Sequence, residues 1–286
     1  MTPAALTDWL LAEGGAIIRY LTATELLGSL DAKEETRLRR ELLACPEVER
    51  WLDNLAAVPG ERPRIHGSRD TDAENAMGKL LEYGLRRGMR AFDERMRPYL
   101  ELITPDMDPV RDLVPGPMLA PLLIRAGYAD NERVAAFFTA RLRALAATAK
   151  RGSYDLILSK TGRRALPQRW CGKPIYRPEF YEQFPLPTIY DWYALAYLPV
   201  EGPETRRMVR DVAAYVSDTR FQATPSGYLW DREKGRFRAA GRVWLAILPT
   251  EEPAGTQHTL TYPGRFVLFL AHLPQLRHVM AVFSSE

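Results

Sequence analysis

The sequence predicts an all-α fold assembled from paired helices. Apolar residues recur at helical spacing over long stretches, helix start and stop signals bracket those stretches, and strands never alternate with helices. A nucleotide-binding α/β sheet is therefore not expected. With 286 residues, of which 46% are hydrophobic, the chain can bury a sizeable core, and it is read as one domain over residues 1–286.

Thr2 followed by Pro3 reads as an N-cap with proline at the first helical position, and Gly14-Gly15 closes that helix. A second helix is expected over Ala16 to Leu27, with Ile17, Leu21 and Leu27 facing inward. Asp31 with Glu34 opens a third, whose outer face is highly charged, and Pro46 restarts the chain into Glu47 to Ala57. The next begins in RIHGSRDTDAENAMGKLLEYGLRRGM, Arg64 to Met89. Ala73, Ala76, Met77, Leu80, Leu81, Gly84, Leu85 and Gly88 form its inner stripe of apolar or small residues, and it is expected to run to about Arg87. A further helix covers Met89 to about Ile103.

Four prolines between Pro105 and Pro117 mark a connector, after which Met118 to Arg125 is short and apolar. Asn131 to Lys150 is long and amphipathic, with Val134, Phe137, Phe138, Leu142 and Leu145 inward. Arg151 to Pro187 lacks periodicity but carries five prolines and a run of aromatics, so it reads as an ordered loop rather than a linker. Helices resume over Thr188 to Leu198 and Glu204 to Thr219. A hairpin is expected around Asp231 to Gly235, then two last helices over Ala240 to Leu248 and Gly264 to His272. The total is about a dozen helices in helical hairpins, with one long proline- and aromatic-rich loop.

Charge sets the first limits on function. With 39 basic and 36 acidic residues the net charge is +3, which argues against a dedicated nucleic-acid surface. Runs such as Arg206-Arg207 and Lys150-Arg151 read as solvated helix faces. Two cysteines, Cys45 and Cys171, make no disulfide framework. No basic leader with an apolar run opens the chain, and no stretch approaches the roughly 20 apolar residues that span a bilayer. A soluble, cytoplasmic protein without stable membrane insertion is expected.

The densest polar cluster is His66, Ser68, Asp70, Asp72 and Glu74, at the start of the Ala73 helix. Thr71 with Glu74 fits a capping box, and carboxylates in a first helical turn also favour the helix dipole. The catalytic alternative is a pair of neighbouring carboxylates among Asp70, Asp72 and Glu74, whose repulsion keeps one protonated as a general acid, with His66 as acid–base partner. Cys171, between Trp170 and Gly172, is either an inert thiol or a nucleophile. His258, His272 and His278 form no close ligand pattern, so neither a metal nor a cofactor is expected. Tyr176, Tyr181, Tyr190, Trp192 and Trp230 are core residues or the lining of a cavity that holds an apolar or cationic ligand.

Several stretches resemble one family. WLLAEGGAIIRYLTATELLG, ENAMGKLLEYGL, FPLPTIYDWYALAYLP and GYLWDREKGRF are similar to helix pairs and turns of bacterial proteins related to squalene cyclases and protein prenyltransferases. That resemblance implies an α/α toroid with a central cavity. Asp70-Thr71-Asp72-Ala73 matches the cyclase aspartate motif except for its last aspartate. The glutamine-to-tryptophan turn motif of triterpene cyclases is missing. Asp155, Cys171 and His258 lack the spacing of the prenyltransferase zinc ligands.

Two functions are expected on this basis. One is an enzyme or binder, a cyclase, isomerase or transferase, for an apolar isoprenoid-like molecule. Asp70, Asp72, Glu74 and His66 would supply acid–base chemistry, and Tyr176, Tyr181, Tyr190, Asp191, Trp192, Trp230 and Cys171 would hold the ligand. The other is a non-catalytic helical scaffold whose concave face holds a peptide or protein partner. A cavity closed at one end and lined by Asp72 and several aromatics favours the first, and an open groove lined by charged side chains favours the second.

Overall fold

The computed structural model describes residues 2–27, 30–56, 63–112, 115–199, 201–233 and 236–243. The described chain is mostly helical, with one short hairpin. It groups into two compact units, one within Met1–Leu102 and Ala126–Tyr128, the other within Ile103–Arg125 and Ala129–Glu286.

The first unit opens with α1 (Pro3–Glu13), where the Thr2 hydroxyl accepts from the Ala5 amide at 3.2 Å. α2 (Ala16–Leu21) runs straight into a π-helical segment, Thr22–Leu27. The wider π turn shifts the buried face, so Tyr20, Thr22 and Ala23 point inward while Leu27, expected inside, is 47% exposed. α3 (Ala32–Leu43) is capped by Asp31, whose carboxylate accepts from the Lys33 and Glu34 amides. α4 (Pro46–Asn54) packs on α5 (Ala73–Glu82), which buries the expected stripe of Ala73, Ala76, Met77, Leu80 and Leu81.

α5 ends five residues before the expected Arg87, because Gly84 turns the chain with φ of +90°. A side chain there would also crowd Tyr20 and Leu21, whose atoms lie 3.0 Å from where a Cβ would sit. α6 (Arg90–Glu101) follows and buries Phe92, Met96 and Tyr99, the last donating from its hydroxyl to the Leu55 carbonyl at 2.9 Å.

The second unit begins with α7 (Gly116–Arg125) and α8 (Glu132–Arg151). Asn131 caps α8 at its start, and Gly152, in the left-handed region, ends it. The aromatic stretch that follows is ordered, as expected. It contains α9 (Lys160–Arg163), a 3₁₀ turn over Gln168–Trp170 and α10 (Glu179–Glu182). Main-chain bonds knit it together: Leu158 to Ile175 at 2.7 Å, Arg177 to Leu156 at 2.9 Å, and a Tyr176–Tyr228 bond at 3.0 Å. Leu156, Leu166, Ile175, Tyr176 and Phe180 are buried within it.

α11 (Ile189–Tyr197) packs on α7, and α12 (Pro203–Ser217) packs on α8. Tyr154, just past α8, stacks on Tyr215 near the end of α12 at 5.0 Å, so these two helices run in the same direction. Consecutive helices α7–α8 thus lie alongside α11–α12, layer on layer. After α13 (Thr219–Gln222), β1 (Gly227–Glu233) pairs antiparallel with β2 (Arg236–Val243).

This is the hairpin expected around Asp231. The helix expected from Ala240 is corrected over 240–243, where the chain continues β2 against β1. Gly241 would weaken a helix there by about 1 kcal/mol relative to alanine, while the strand offers a ready ladder partner. The remainder of that helix, and the one over Gly264 to His272, lie outside the described residues.

Candidate functional site

The loop 64–72 folds back over the start of α5, and its backbone does the capping. The Ala73 and Glu74 amides donate to the carbonyls of Arg64 and Ile65, at 2.9 and 3.0 Å. The expected Thr71–Glu74 capping box is therefore corrected: the N-cap is Asp72, and it makes no side-chain cap bond. With main-chain carbonyls serving the helix amides, the carboxylates are free to hold the loop.

Asp72 is fully buried. Its Oδ2 accepts from the Arg69 amide at 2.8 Å, and its Oδ1 lies 2.8 Å from Arg64 Nε as an ion pair. Glu74 accepts from the Gly67 amide at 3.1 Å and meets His66 Nδ1 at 2.5 Å. Asn75 completes the fastening by donating to the carbonyls of Gly67 and Arg69. Asp70 faces solvent, 3.9 Å from Arg50. The structure thus joins His66 to Glu74 and Asp72 to Arg64, and leaves Asp70 apart. Gly67 sits where a Cβ would fall 2.3 Å from Asp72 Oδ2, so only glycine fits this wrap.

Beneath the same corner Glu47 accepts three hydrogen bonds on one oxygen, from Arg50 at 2.8 Å and from Trp51 and Tyr83 at 3.0 Å each. Those donors, Arg50 first, lower its pKa to about 2.

Of the expected binding residues, Asp191 is buried in a bidentate pair with Arg141, both contacts at 2.9 Å. The same carboxylate accepts from the Thr188 amide and hydroxyl, at 2.8 and 3.0 Å. Arg141 spends its other donors on the carbonyls of Pro109 and Leu186. The pair ties α8, α11 and two loops of the second unit together. Tyr176 is buried, its hydroxyl donating to the Pro225 carbonyl at 3.1 Å, and Trp192 is buried too. Tyr190 is half-buried against Ala196. Cys171 is half-buried, and its thiol lies 3.3 Å from the Arg163 carbonyl. The side chains of Tyr181 and Trp230 lie outside the described set.

Of the five whose side chains are described, none lines the groove of about 690 Å³ that runs between α8 and α12. Its walls carry Arg143 and Lys150 from α8, and Arg207 and Asp211 from α12. Alanines 146, 147, 149 and 214 keep its floor shallow. At one end Tyr154 is stacked between Tyr215 and the Arg220 guanidinium, which lies 4.0 Å from its ring. Asp218 is bound to Arg220 at 2.7 Å, which holds its carboxyl far below the usual carboxylate range. Burial pushes the Tyr215 phenol well up, and its hydroxyl donates to the Ser153 carbonyl at 2.7 Å.

Among the described residues, no three or more His, Cys, Asp or Glu side chains are grouped so as to hold a metal ion, and no helix is long and apolar enough to cross a membrane. Comparison with protein-family models, with curated proteins and with solved structures finds no match.

Sequence reasoning missed Arg141 and the groove. Arg141 had a signal, an arginine inside the apolar stripe of Phe137, Phe138, Leu142 and Leu145. The groove's signal was fainter: clustered alanines on two helices, each flanked by basic residues that resemble ordinary solvated faces.

Proposed function

We propose that the protein is a non-catalytic helical scaffold that holds a peptide segment of a partner in the groove between α8 and α12. In this reading the layered pairs α7–α8 and α11–α12 belong to an α/α toroid of the kind the sequence resembles. Stacked helical repeats of this type characteristically use extended surfaces for binding. The observation that carries the reading is the groove's lining: charged side chains and alanines along its walls, with Met208, Tyr154 and Tyr215 beside them. The buried carboxylates Asp72 and Asp191 support it, since each is engaged in an ion pair that fastens a loop.

The test is a panel of immobilised peptides probed with the intact protein and with Ala147→Trp, which fills the groove at an exposed position. Binding that Ala147→Trp abolishes supports the scaffold. Binding that survives it overturns the assignment to this groove.

One observation favours the isoprenoid enzyme as a second reading. Asp72 Oδ1 is buried beside Arg64 without an aligned hydrogen bond, so a carboxylate oxygen retains accepting capacity. Incubation with a linear isoprenoid such as squalene decides between the two. Turnover that disappears in Asp72→Asn would establish the enzyme, and absence of both binding and turnover would remove it.

A further inference from the structure

We infer that the segment held between α8 and α12 is acidic. The inference rests on the reading of that groove as a peptide site and adds the chemistry of the occupant. Arg143, Lys150 and Arg207 are exposed on its walls, and among the described residues none of them pairs with a carboxylate. Of the two acids in the lining, Asp218 is already neutralised by Arg220. Asp211 alone remains against three cations. In the first unit, by contrast, exposed arginines pair with carboxylates one helical turn away, as Arg37 does with Glu34 and Arg90 with Glu94. The groove is thus a place where the chain leaves positive charge uncompensated.

Spacing strengthens the argument. Arg143 and Lys150 stand seven residues apart on α8, two turns along one face, or about 10 Å. Because α12 runs in the same direction, Arg207 lies across the groove toward the Arg143 end. Alanines between these cations let a backbone approach closely. Acidic side chains spaced along an extended segment, at about 3.3 Å per residue, can reach all three. Asp211 takes a donor from the segment and sets its register. Attraction of this sort steers association and weakens with salt.

The experiment uses fluorescein-labelled 12-residue peptides that are acidic, neutral or basic but share one Ser, Gly and Tyr framework, with fluorescence anisotropy as readout. The acidic peptide is expected to bind. Its affinity should fall about tenfold or more when ionic strength rises from about 0.05 to about 0.5 M. The triple variant Arg143→Glu, Lys150→Glu, Arg207→Glu should lose the acidic peptide and gain the basic one. Its melting temperature should match the parent, since all three side chains are exposed. If the neutral or basic peptide binds better and Ala147→Trp abolishes that binding, the acidic occupant is wrong while the groove stands. If no peptide binds, or Ala147→Trp changes nothing, the groove reading falls and takes this inference with it.

Discussion

Replacing Asp191 with alanine removes the carboxylate that answers the buried Arg141 guanidinium, and the structure sets the size of the effect. Both side chains are nearly inaccessible, 4% and 0% exposed, so water cannot replace the lost partner. Arg141 keeps only the Pro109 and Leu186 carbonyls, and Thr188 loses the acceptor for its amide and hydroxyl. Breaking a buried pair from one side costs about 3–5 kcal/mol. For a unit of this size, each kcal/mol lowers the melting temperature by about 2–4 °C, giving a fall of roughly 6–20 °C. Differential scanning calorimetry reads this directly. The double variant Arg141→Met, Asp191→Leu should recover much of the loss, because removing both charges leaves nothing unpaired. A loss below about 1 kcal/mol in Asp191→Ala would refute the assignment of Asp191 to structure and reopen a ligand-binding role.

Gly67→Ala should destabilise the first unit by about 1–3 kcal/mol, because the added Cβ meets Asp72 Oδ2 and Arg64 Nη2; an unchanged urea midpoint would contradict this wrap. Tyr99→Phe leaves the buried Leu55 carbonyl without its donor and should cost about 1–2 kcal/mol in the same assay. Glu47 has a folded pKa lowered to about 2 from 4.5, so its stabilising contribution is complete above pH 4.5 and is lost as pH falls toward 2. Glu47→Gln should accordingly flatten the acid limb of a plot of melting temperature against pH, and an unchanged limb would show that the Arg50, Trp51 and Tyr83 bonds contribute nothing.

Helices whose faces are set by periodicity were legible in the sequence. α5 and α8 bury the residues their spacing predicts, and Asp31 caps α3 as written. What failed was decided by partners distant in the chain or by backbone geometry. The cap on α5 comes from the carbonyls of Arg64 and Ile65, which carry no side-chain signature, so Thr71 and Glu74 looked sufficient. Leu27 faces solvent because a π turn, invisible in composition, rotates the end of its helix. Ala240 to Val243 joins a strand because β1 is there to receive it. At the candidate sites, the sequence offers Asp72 as a catalytic acid and Asp191 as a ligand contact, and the structure places each beside an arginine. Their partners Arg64 and Arg141 lie 8 and 50 residues away, and only the fold discloses these pairings. The groove belongs to two helices more than 50 residues apart, and neither half announces a site alone.

The scaffold account is tested most directly by placing a photo-reactive benzophenone side chain at Ala147, at Ala214 and, as control, at the exposed Thr36 of α3, each in the full chain. Each variant is mixed with the labelled acidic peptide and irradiated. The account predicts peptide adducts at 147 and 214, none at 36, and loss of both adducts when excess unlabelled peptide competes. Adducts at 36 but not at 147 or 214 would place the bound segment elsewhere and contradict it.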